Sequence, residues 1–377
     1  MAINLSTTVL DGLSLTAPAI DGDGLFGTVA VWADGQSNGT VMMAYSGNSY
    51  APEPVNSAWT TFDTPAVALA FDWETLFVAF TDYNGNVQLG SSVDGWQTTT
   101  TIAQGGIAAG PALAYSSDLL YIAWKTSNSQ LAFATVDQSN NITYFESDVP
   151  LTSRPTICAE DPYRIYVLCG GGLNPPDPAT LMIYLSLDGG KTFTVVPTQP
   201  NTCYGPPSLT LLDAFYLVYA DGQTSQLRLA RTTDLISYTP MDYAMGCHGG
   251  GPAVVPMVTF PDPNDVYSGV FSLSSGWTIG SGDSNNHRVA VGSFGPLPID
   301  QTQIEKQQRR IAKLKAPRAP DPCPDPLTVY NPATGECVPK GGCWGICVIN
   351  SYTSAWGAGP VFNPIAYGFC VAKCLNN

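Results

Sequence analysis

The sequence predicts an all-β fold: a six-bladed β-propeller closed by its own N-terminal strand, then a short helix and a small cysteine-rich C-terminal segment. Three observations predict it. The 377 residues include 37 Gly and 31 Pro but only 12% charged residues, a balance that favours many short strands joined by turns over helices. A Pro followed by small or β-branched residues recurs at Pro18, Pro65, Pro111, Pro155, Pro207 and Pro252, at spacings of 47, 46, 44, 52 and 45 residues. Within each repeat, three features follow in the same order.

The first feature is the strand that the Pro introduces, as in Pro65-Ala-Val or Pro252-Ala-Val. The second is a strand with a bulky or sulfur-bearing end: Val29–Trp32, Phe77–Phe80, Tyr121–Trp124, Tyr166–Cys169, Tyr216–Tyr219 and Ser268–Phe271. The third strand ends on a hydroxyl residue: Ser46, Ser92, Thr135, Ser186, Thr232 and Ser293. A fourth strand follows in the first five repeats, such as Gln97–Ile102 or Thr192–Val196. After Ser293 the chain turns out through Pro296 and Pro298. The stretch Asn4–Leu10 is therefore expected to supply the missing outer strand and to cover an open edge. Four antiparallel strands per unit of about 45 residues, repeated radially, is the signature of a propeller blade.

The hydroxyl residue opens a longer motif. Ser186-Leu-Asp188-Gly-Gly190-Lys-Thr192-Phe193 reads Ser-x-Asp-x-Gly-x-Thr-aromatic in full. Ser92-Val-Asp94 with Thr98, and Thr232-Thr-Asp234, match in part; Thr135-Val-Asp137 and Ser46-Gly-Asn48 match more weakly. Local physics accounts for the pattern: the carboxylate and hydroxyl accept backbone N–H groups inside a hairpin, and Gly permits a turn closed to residues with a Cβ. On these residues, the region 1–295 resembles the Asp-box propellers of the sialidase superfamily. The resemblance implies peripheral boxes with a structural role.

Catalytic members of that superfamily hold a substrate carboxylate with three arginines and use a Tyr–Glu pair with an Asp acid/base. Here the first 295 residues carry only Arg154, Arg164, Arg228, Arg231 and Arg288, and the glutamates are Glu53, Glu74, Glu146 and Glu160. Arg154-Pro155 resembles the family's Arg-x-Pro only faintly and lies in the fourth repeat. No catalytic residue is assigned.

Ligand-binding candidates come from the loops that share one face of a propeller. Asp34, Asp82 and Asp221 each stand two residues past the bulky end of a second strand. There they could converge on sugar hydroxyls, hold a hard cation such as Ca2+, or simply begin a turn, as Asp34-Gly35 and Asp221-Gly222 suggest. A long loop is expected from Ser272 to Asn286, carrying Trp277 and Asp283. Trp277 either stacks on a sugar ring or caps the blade. Tyr204 and His248 lie in the segments leading into the fifth and sixth repeats, and His248 reads as a hydrogen-bonding rim residue. No cofactor is required by these residues.

Cys203 and Cys247 precede the aligned Pro in neighbouring repeats, a natural position for a disulfide, whereas Cys158 and Cys169 either pair or act as small buried hydrophobes. Cys323, Cys337, Cys343, Cys347, Cys370 and Cys374 crowd the last 55 residues. A disulfide framework is preferred over zinc, because two Cys-x3-Cys pairs are looser than the usual Cys-x2-Cys ligand spacing. The expected division is a propeller over 1–297, a basic helix and Pro-rich linker over 298–322, and a disulfide-rich segment over 323–377. Ile299–Lys315 reads as a thinly amphipathic helix.

Charge narrows the functions. Residues 1–297 hold 25 acids and 7 bases, net −18, and the remainder 5 acids and 8 bases, net +3. An acidic body repels nucleic acid and anionic lipid. No run approaches 18 apolar residues, so no membrane span is expected. Met1–Leu5 lacks the basic start and apolar run of a signal peptide, although the cysteines point outside the cell. The preferred reading is an extracellular or cell-surface, non-catalytic module that binds a glycan or receptor through the propeller face. Its tail, residues 299–377, would serve docking, homo-oligomerisation or assembly. The alternatives are a glycoside hydrolase or lyase with an axial carboxylate pair such as Asp82 and Asp221, and a structural subunit of a surface fibre or layer.

Overall fold

The computed structural model describes residues 4–298, apart from 11–13, 24–26, 47–48, 71–74, 171–178, 199–200, 212–213, 225, 247–252, 259–267 and 279–286. Beyond these it describes 328–331, 336–339, 352–353 and 361–362. The chain divides into two units, Met1–Glu305 and Lys306–Asn377.

The first unit is an all-β propeller whose sheets follow one another along the chain. Strand β1 (Asn4–Val9) comes first, then a sheet of β2 (Ala19–Asp23), β3 (Gly27–Ala33), β4 (Val41–Tyr45) and β5 (Glu53–Pro54). The next sheet is β6 (Ala66–Ala70), β7 (Thr75–Thr81), β8 (Val87–Ser91) and β9 (Thr99–Ala103). It is followed by β10 (Ile107–Ser116), β11 (Leu119–Thr126), β12 (Gln130–Asp137) and β13 (Ile142–Pro150). After β14 (Thr156–Ala159) and β15 (Ile165–Cys169), a short β16 (Ala179–Thr180) leaves for the neighbouring sheet, while β17 (Met182–Ser186) and β18 (Thr194–Val195) complete their own. Strands β19 (Thr202–Leu211), β20 (Phe215–Asp221), β21 (Gln226–Thr232) and β22 (Thr239–Gly246) follow. The last sheet joins β23 (Ala253–Val258), β24 (Ser268–Thr278) and β25 (His287–Pro298) to β1.

The N-terminus thus closes the final sheet: Asn4 pairs with Gly295 and Val9 with Ala290, antiparallel throughout. This protects the edge of β25 from pairing with another chain. The expected row of equal four-stranded units needs one correction. Five propeller sheets are four-stranded, and the sheet built on β19–β22 is five-stranded. The connection from β15 to β17 carries β16 across to β19, pairing Ala179 with Cys203 and Thr180 with Thr202. The long loop expected from Ser272 to Asn286 is also corrected. β24 continues through Trp277 to Thr278, which pairs with His287, so much of that stretch is ladder. β25 likewise runs on to Pro298 instead of turning out after Ser293.

The second strands β7, β11, β15 and β20 are buried on both faces, which explains their unbroken apolar sequences, as in Phe77-Val-Ala-Phe80 and Tyr216-Leu-Val-Tyr219. The core lies between sheets. Phe77 and Leu89 meet Leu120, Ile122 and Trp124 of the following sheet, and Tyr121 and Phe133 meet Val167 and Tyr184 of the next. No sheet can bury its faces alone, so the units are stable only as a set. The described residues contain one short 3-10 turn, Ser92–Asp94. The expected helix over Ile299–Lys315 lies outside the described residues.

In the second unit, β26 (Thr328–Asn331) pairs with β27 (Glu336–Pro339), and β28 (Tyr352–Thr353) with β29 (Val361–Phe362). Cys337 sits opposite Tyr330. Cys323, Cys343, Cys347, Cys370 and Cys374 lie outside the described residues.

Candidate functional site: an axial cavity and the loop face around it

The first strands of every propeller sheet, β2, β6, β10, β14, β19 and β23, surround one cavity of about 270 Å3. The repeated small residues after each Pro make this possible. Ala19, Ala66, Ala112 and Ala253 allow the strands to approach the axis and still leave a space between them. Thr156, Ser208 and Thr210 add hydroxyls to the wall. Two charged residues line it, Arg154 and Asp21.

Arg154 sits just before β14 and is 5% exposed. Its Nη2 donates to the Pro111 carbonyl at 2.6 Å and the Pro65 carbonyl at 3.2 Å, and its Nε donates to Pro111 at 3.2 Å. The guanidinium therefore ties together the lead-in segments of three consecutive sheets, using the prolines of the repeat as acceptors. Thr156 extends the pattern by donating from Oγ1 to the Pro207 carbonyl at 2.6 Å. Burial pushes the Arg154 pKa down to about 10, opposed by the nearby charge of Asp63, so the group stays cationic at neutral pH. Asp63 is itself buried and accepts from the backbone N–H of Gly110 and, at 2.7 Å, of Thr64.

Asp21 lies three residues along β2 from Pro18, about 10 Å down the strand from the level of the prolines. Its Oδ2 accepts from the Leu69 N–H at 2.7 Å and its Oδ1 from the Gly22 N–H at 2.8 Å, linking β2 to β6. The cavity is thus polarised, with the cation at one end and the carboxylate further in.

The three aspartates expected to converge each serve their own turn, and none lines the cavity. Asp34 accepts from the Gln36 N–H at 3.2 Å. Asp82 accepts from the N–H groups of Asn84 and Asn86, each at 2.9 Å, and from the amides of Asn86 and Gln88, each at 3.0 Å. Burial raises the Asp82 pKa, but the bonds from Asn86, Gln88 and Asn84 outweigh it and hold the group below its ordinary value. Asp221 accepts from Gln223 and Thr224, and Arg228 Nε stands 2.8 Å from its Oδ2. There too burial raises the pKa, and the bonds, led by Thr224, outweigh it and lower the value. Tyr204 is in β19 and Trp277 in β24, whereas His248, Cys247 and Asp283 lie outside the described residues. No group of three His, Cys, Asp or Glu that could hold a metal occurs among the described residues.

Cys158 and Cys169 do not pair, which corrects one of the two readings of the sequence. They point into different inter-sheet cores, Cys158 with Tyr166 and Leu209, Cys169 with Tyr121 and Phe133. Burial pushes the Cys158 thiol up to about 12.

The Ser186–Phe193 turn joins β17 to β18 at the outer edge of its sheet. Ser186 Oγ donates to Asp188 Oδ1 at 2.8 Å and accepts from the Gly190 N–H at 2.8 Å. Asp188 Oδ1 accepts from the Lys191 and Thr192 N–H groups at 3.1 and 2.9 Å, and Oδ2 accepts from the Thr192 hydroxyl at 2.7 Å. Phe193 meets Phe133 of the preceding sheet edge-on, with centroids 5.9 Å apart. Asp94 and Asp234 repeat the carboxylate's role with Thr98 and with Ile236 and Ser237.

These bonds hold the Asp188 pKa at about 2, led by the Thr192 hydroxyl, against an ordinary 3.8. A carboxyl whose folded pKa is depressed adds stability above its unfolded pKa and loses it as pH falls through the folded value. Stability is therefore expected to fall between about pH 4 and pH 2. Asp188→Asn should lower stability at pH 7 and remove part of that acid slope, as read by urea denaturation at several pH values. An unchanged slope would show that the turn does not depend on the charge.

Reasoning from sequence passed over Arg154 as a site residue and missed Asp21, Asp63, Phe62 and Tyr83. The signal for Arg154 was its place directly before the fourth aligned Pro. For Asp21 it was the third position after the first.

The fold is similar to several solved structures. The SapL1 lectin in complex with α-methyl fucoside matches with a TM-score of 0.51 at 11% identity, over 73% of this chain and 97% of that one. An α-L-arabinanase of Penicillium chrysogenum complexed with arabinobiose matches at 0.50 and 11%, over 75% and 98%. A triple arginine-to-alanine mutant of AofleA from Arthrobotrys oligospora matches at 0.50 and 8%, over 80% and 95%. At such identities the likeness shows the fold, a β-propeller. No family model and no curated protein matches the chain.

Proposed function

We propose that the protein is an extracellular, non-catalytic carbohydrate-binding propeller. In this reading the four-stranded sheets and the five-stranded one act as six blades, and the Ser186, Ser92 and Thr232 turns are Asp-boxes with a structural role. The observation that carries the proposal is the axial cavity. Its volume, about 270 Å3, sits just under the ~300 Å3 lower end of small-molecule pockets, the scale of one sugar ring. Hydroxyls from Ser208 and Thr210 offer hydrogen bonds to sugar oxygens, while Arg154 and Thr156, which donate to the proline carbonyls, hold the wall in place. Glycoside hydrolysis calls for two carboxyl groups flanking the scissile bond, and the described lining supplies one, Asp21, already engaged by two backbone N–H groups. Two of the similar folds hold sugars, α-methyl fucoside and arabinobiose, which supports a saccharide as the ligand class. The cysteine-rich second unit is the docking or assembly element. No helix among the described residues is long and apolar enough to cross a membrane.

Glycan-array binding followed by calorimetry tests the proposal. Thr210→Leu, which fills the cavity and removes a hydroxyl, is expected to weaken binding at least about tenfold, the equivalent of one lost buried hydrogen bond. Release of nitrophenol from aryl glycosides, abolished by Asp21→Asn, would overturn the non-catalytic reading.

A further inference from the structure

The loop face around the axial opening carries two aromatic side chains that the fold holds rigidly in solvent. Phe62, in the segment leading into β6, is 49% exposed, and Tyr83, in the β7–β8 turn, is 57% exposed. Their ring centroids are 5.8 Å apart with planes inclined at 54°, so together they form an open V. Both lie on the same end of the sheet as Arg154, because the lead-in to a first strand and the turn after a second strand share one end of an antiparallel meander. A bonded path also links them: Asp63, next to Phe62, accepts from Gly110, whose neighbour Pro111 accepts from Arg154.

Neither ring is loosely displayed. Tyr83 donates its hydroxyl to the Asn38 carbonyl at 2.9 Å, which anchors the ring to the β3–β4 turn. Its backbone sits inside the turn that Asp82 closes through Asn84 and Asn86. Phe62 stands between Thr61 and Asp63, where the Thr61 hydroxyl donates to the Asp63 carbonyl and accepts from its N–H, both at 3.1 Å. The Thr61 N–H donates to the Gly39 carbonyl at 2.8 Å, so the β3–β4 turn and the Phe62 segment form one block. Gly39 is required there: its φ is +76°, and a Cβ would fall 1.9 Å from the Thr61 carbonyl oxygen.

Two aromatic rings held half-bare on locked turns gain nothing from the fold in return for their exposed apolar area. The exposed side-chain amides of Gln36, Asn38 and Asn84 sit in the same turns, with no partner among the described residues. An apolar floor with amide donors and acceptors at its margin matches a pyranose, which presents C–H groups on one face and hydroxyls around its edge. A locked site also loses little entropy when a ligand arrives.

We propose that the Phe62–Tyr83 cleft is a sugar-ring platform beside the axial opening, taking a neutral pyranose whose C–H face lies on the two rings. This rests on the reading of the protein as a carbohydrate binder and adds a second subsite to the cavity. It is tested on the full chain by saturation-transfer difference NMR and calorimetry. The probes are the methyl glycosides of glucose, galactose, mannose and fucose. Phe62→Ala and Tyr83→Ala are each expected to weaken the best-bound glycoside at least tenfold. Tyr83→Phe, which keeps the ring and frees its anchor, should weaken it two- to threefold. Melting temperature and circular dichroism confirm that each variant is folded.

Binding that persists in both alanine variants but is lost in Thr210→Leu would overturn the platform and leave the cavity reading standing. Loss in the alanine variants with retention in Thr210→Leu supports the platform and removes the cavity. If none of the four glycosides binds the wild-type protein, the platform is overturned as a neutral-pyranose site. If Phe62→Ala or Tyr83→Ala instead shifts the sedimentation profile from dimer to monomer, the pair belongs to contact between copies and the proposal fails.

Discussion

Arg154→Met is expected to destabilise the propeller by about 3–5 kcal/mol, far more than the loss of an exposed charge. The change removes three hydrogen bonds at once and leaves the Pro65 and Pro111 carbonyls without this donor beside a buried Asp63. It also takes away the cation whose field accompanies that carboxylate. The melting temperature should fall by on the order of 10 °C, since a kilocalorie corresponds to a few degrees in a domain of this size. Arg154→Lys should recover only part of the loss, because one ammonium cannot reproduce a planar fork between two carbonyls. Arg164→Met is the control. Arg164 is 52% exposed and pairs with Glu160 at 3.0 Å, so its loss should be worth less than about 1 kcal/mol. Guanidinium denaturation of the three variants decides the matter. A loss below about 1 kcal/mol for Arg154→Met would mean that the lead-in segments hold together without it.

The second large effect is expected at Gly190, where Ala should cost about 3 kcal/mol. Two penalties act together. The backbone has φ +92°, and a Cβ would lie 2.2 Å from a ring carbon of Phe133, which belongs to the preceding sheet. Phe133 is fully buried between sheets and touches Tyr121, Phe145 and Phe193, so it has little room to yield. Gly95 provides the comparison. It has φ +67° in the equivalent turn of another sheet, but a Cβ there meets nothing within 4 Å. Gly95→Ala should cost only about 1 kcal/mol, the backbone part alone. Urea denaturation of both variants separates strain from collision. Equal losses would show that Phe133 moves aside freely.

The repeat was legible because every unit faces the same demands: a short inner strand near the axis, a doubly buried second strand, and a hairpin that must close at the edge. Each demand selects a residue type at a fixed offset, so Pro65-Ala-Val, Phe77–Phe80 and Ser92 recur in order. The Asp188 turn was legible for a similar reason, since all its bonds fall within seven residues. The exceptions came from contacts between units. β16 crosses to the next sheet through two residue pairs that no local pattern announces. The aspartates at 34, 82 and 221 share a repeat position, which suggested convergence. Their bonds instead run back into their own turns, a short-range solution that satisfies the carboxylates without bringing them together.

The sequence by itself determined that this chain is a ring of β units, where the strands and turns fall in the first three units, and which end closes the ring. Those features depend on local propensity and on a periodicity that repeats. Tertiary structure alone decided the site. Arg154 reaches carbonyls 43 and 89 residues earlier in the chain, and Phe62 meets Tyr83 across two strands. Such partnerships are made by curvature and closure of the ring, which set the distance between residues whose separation along the chain carries no trace of it.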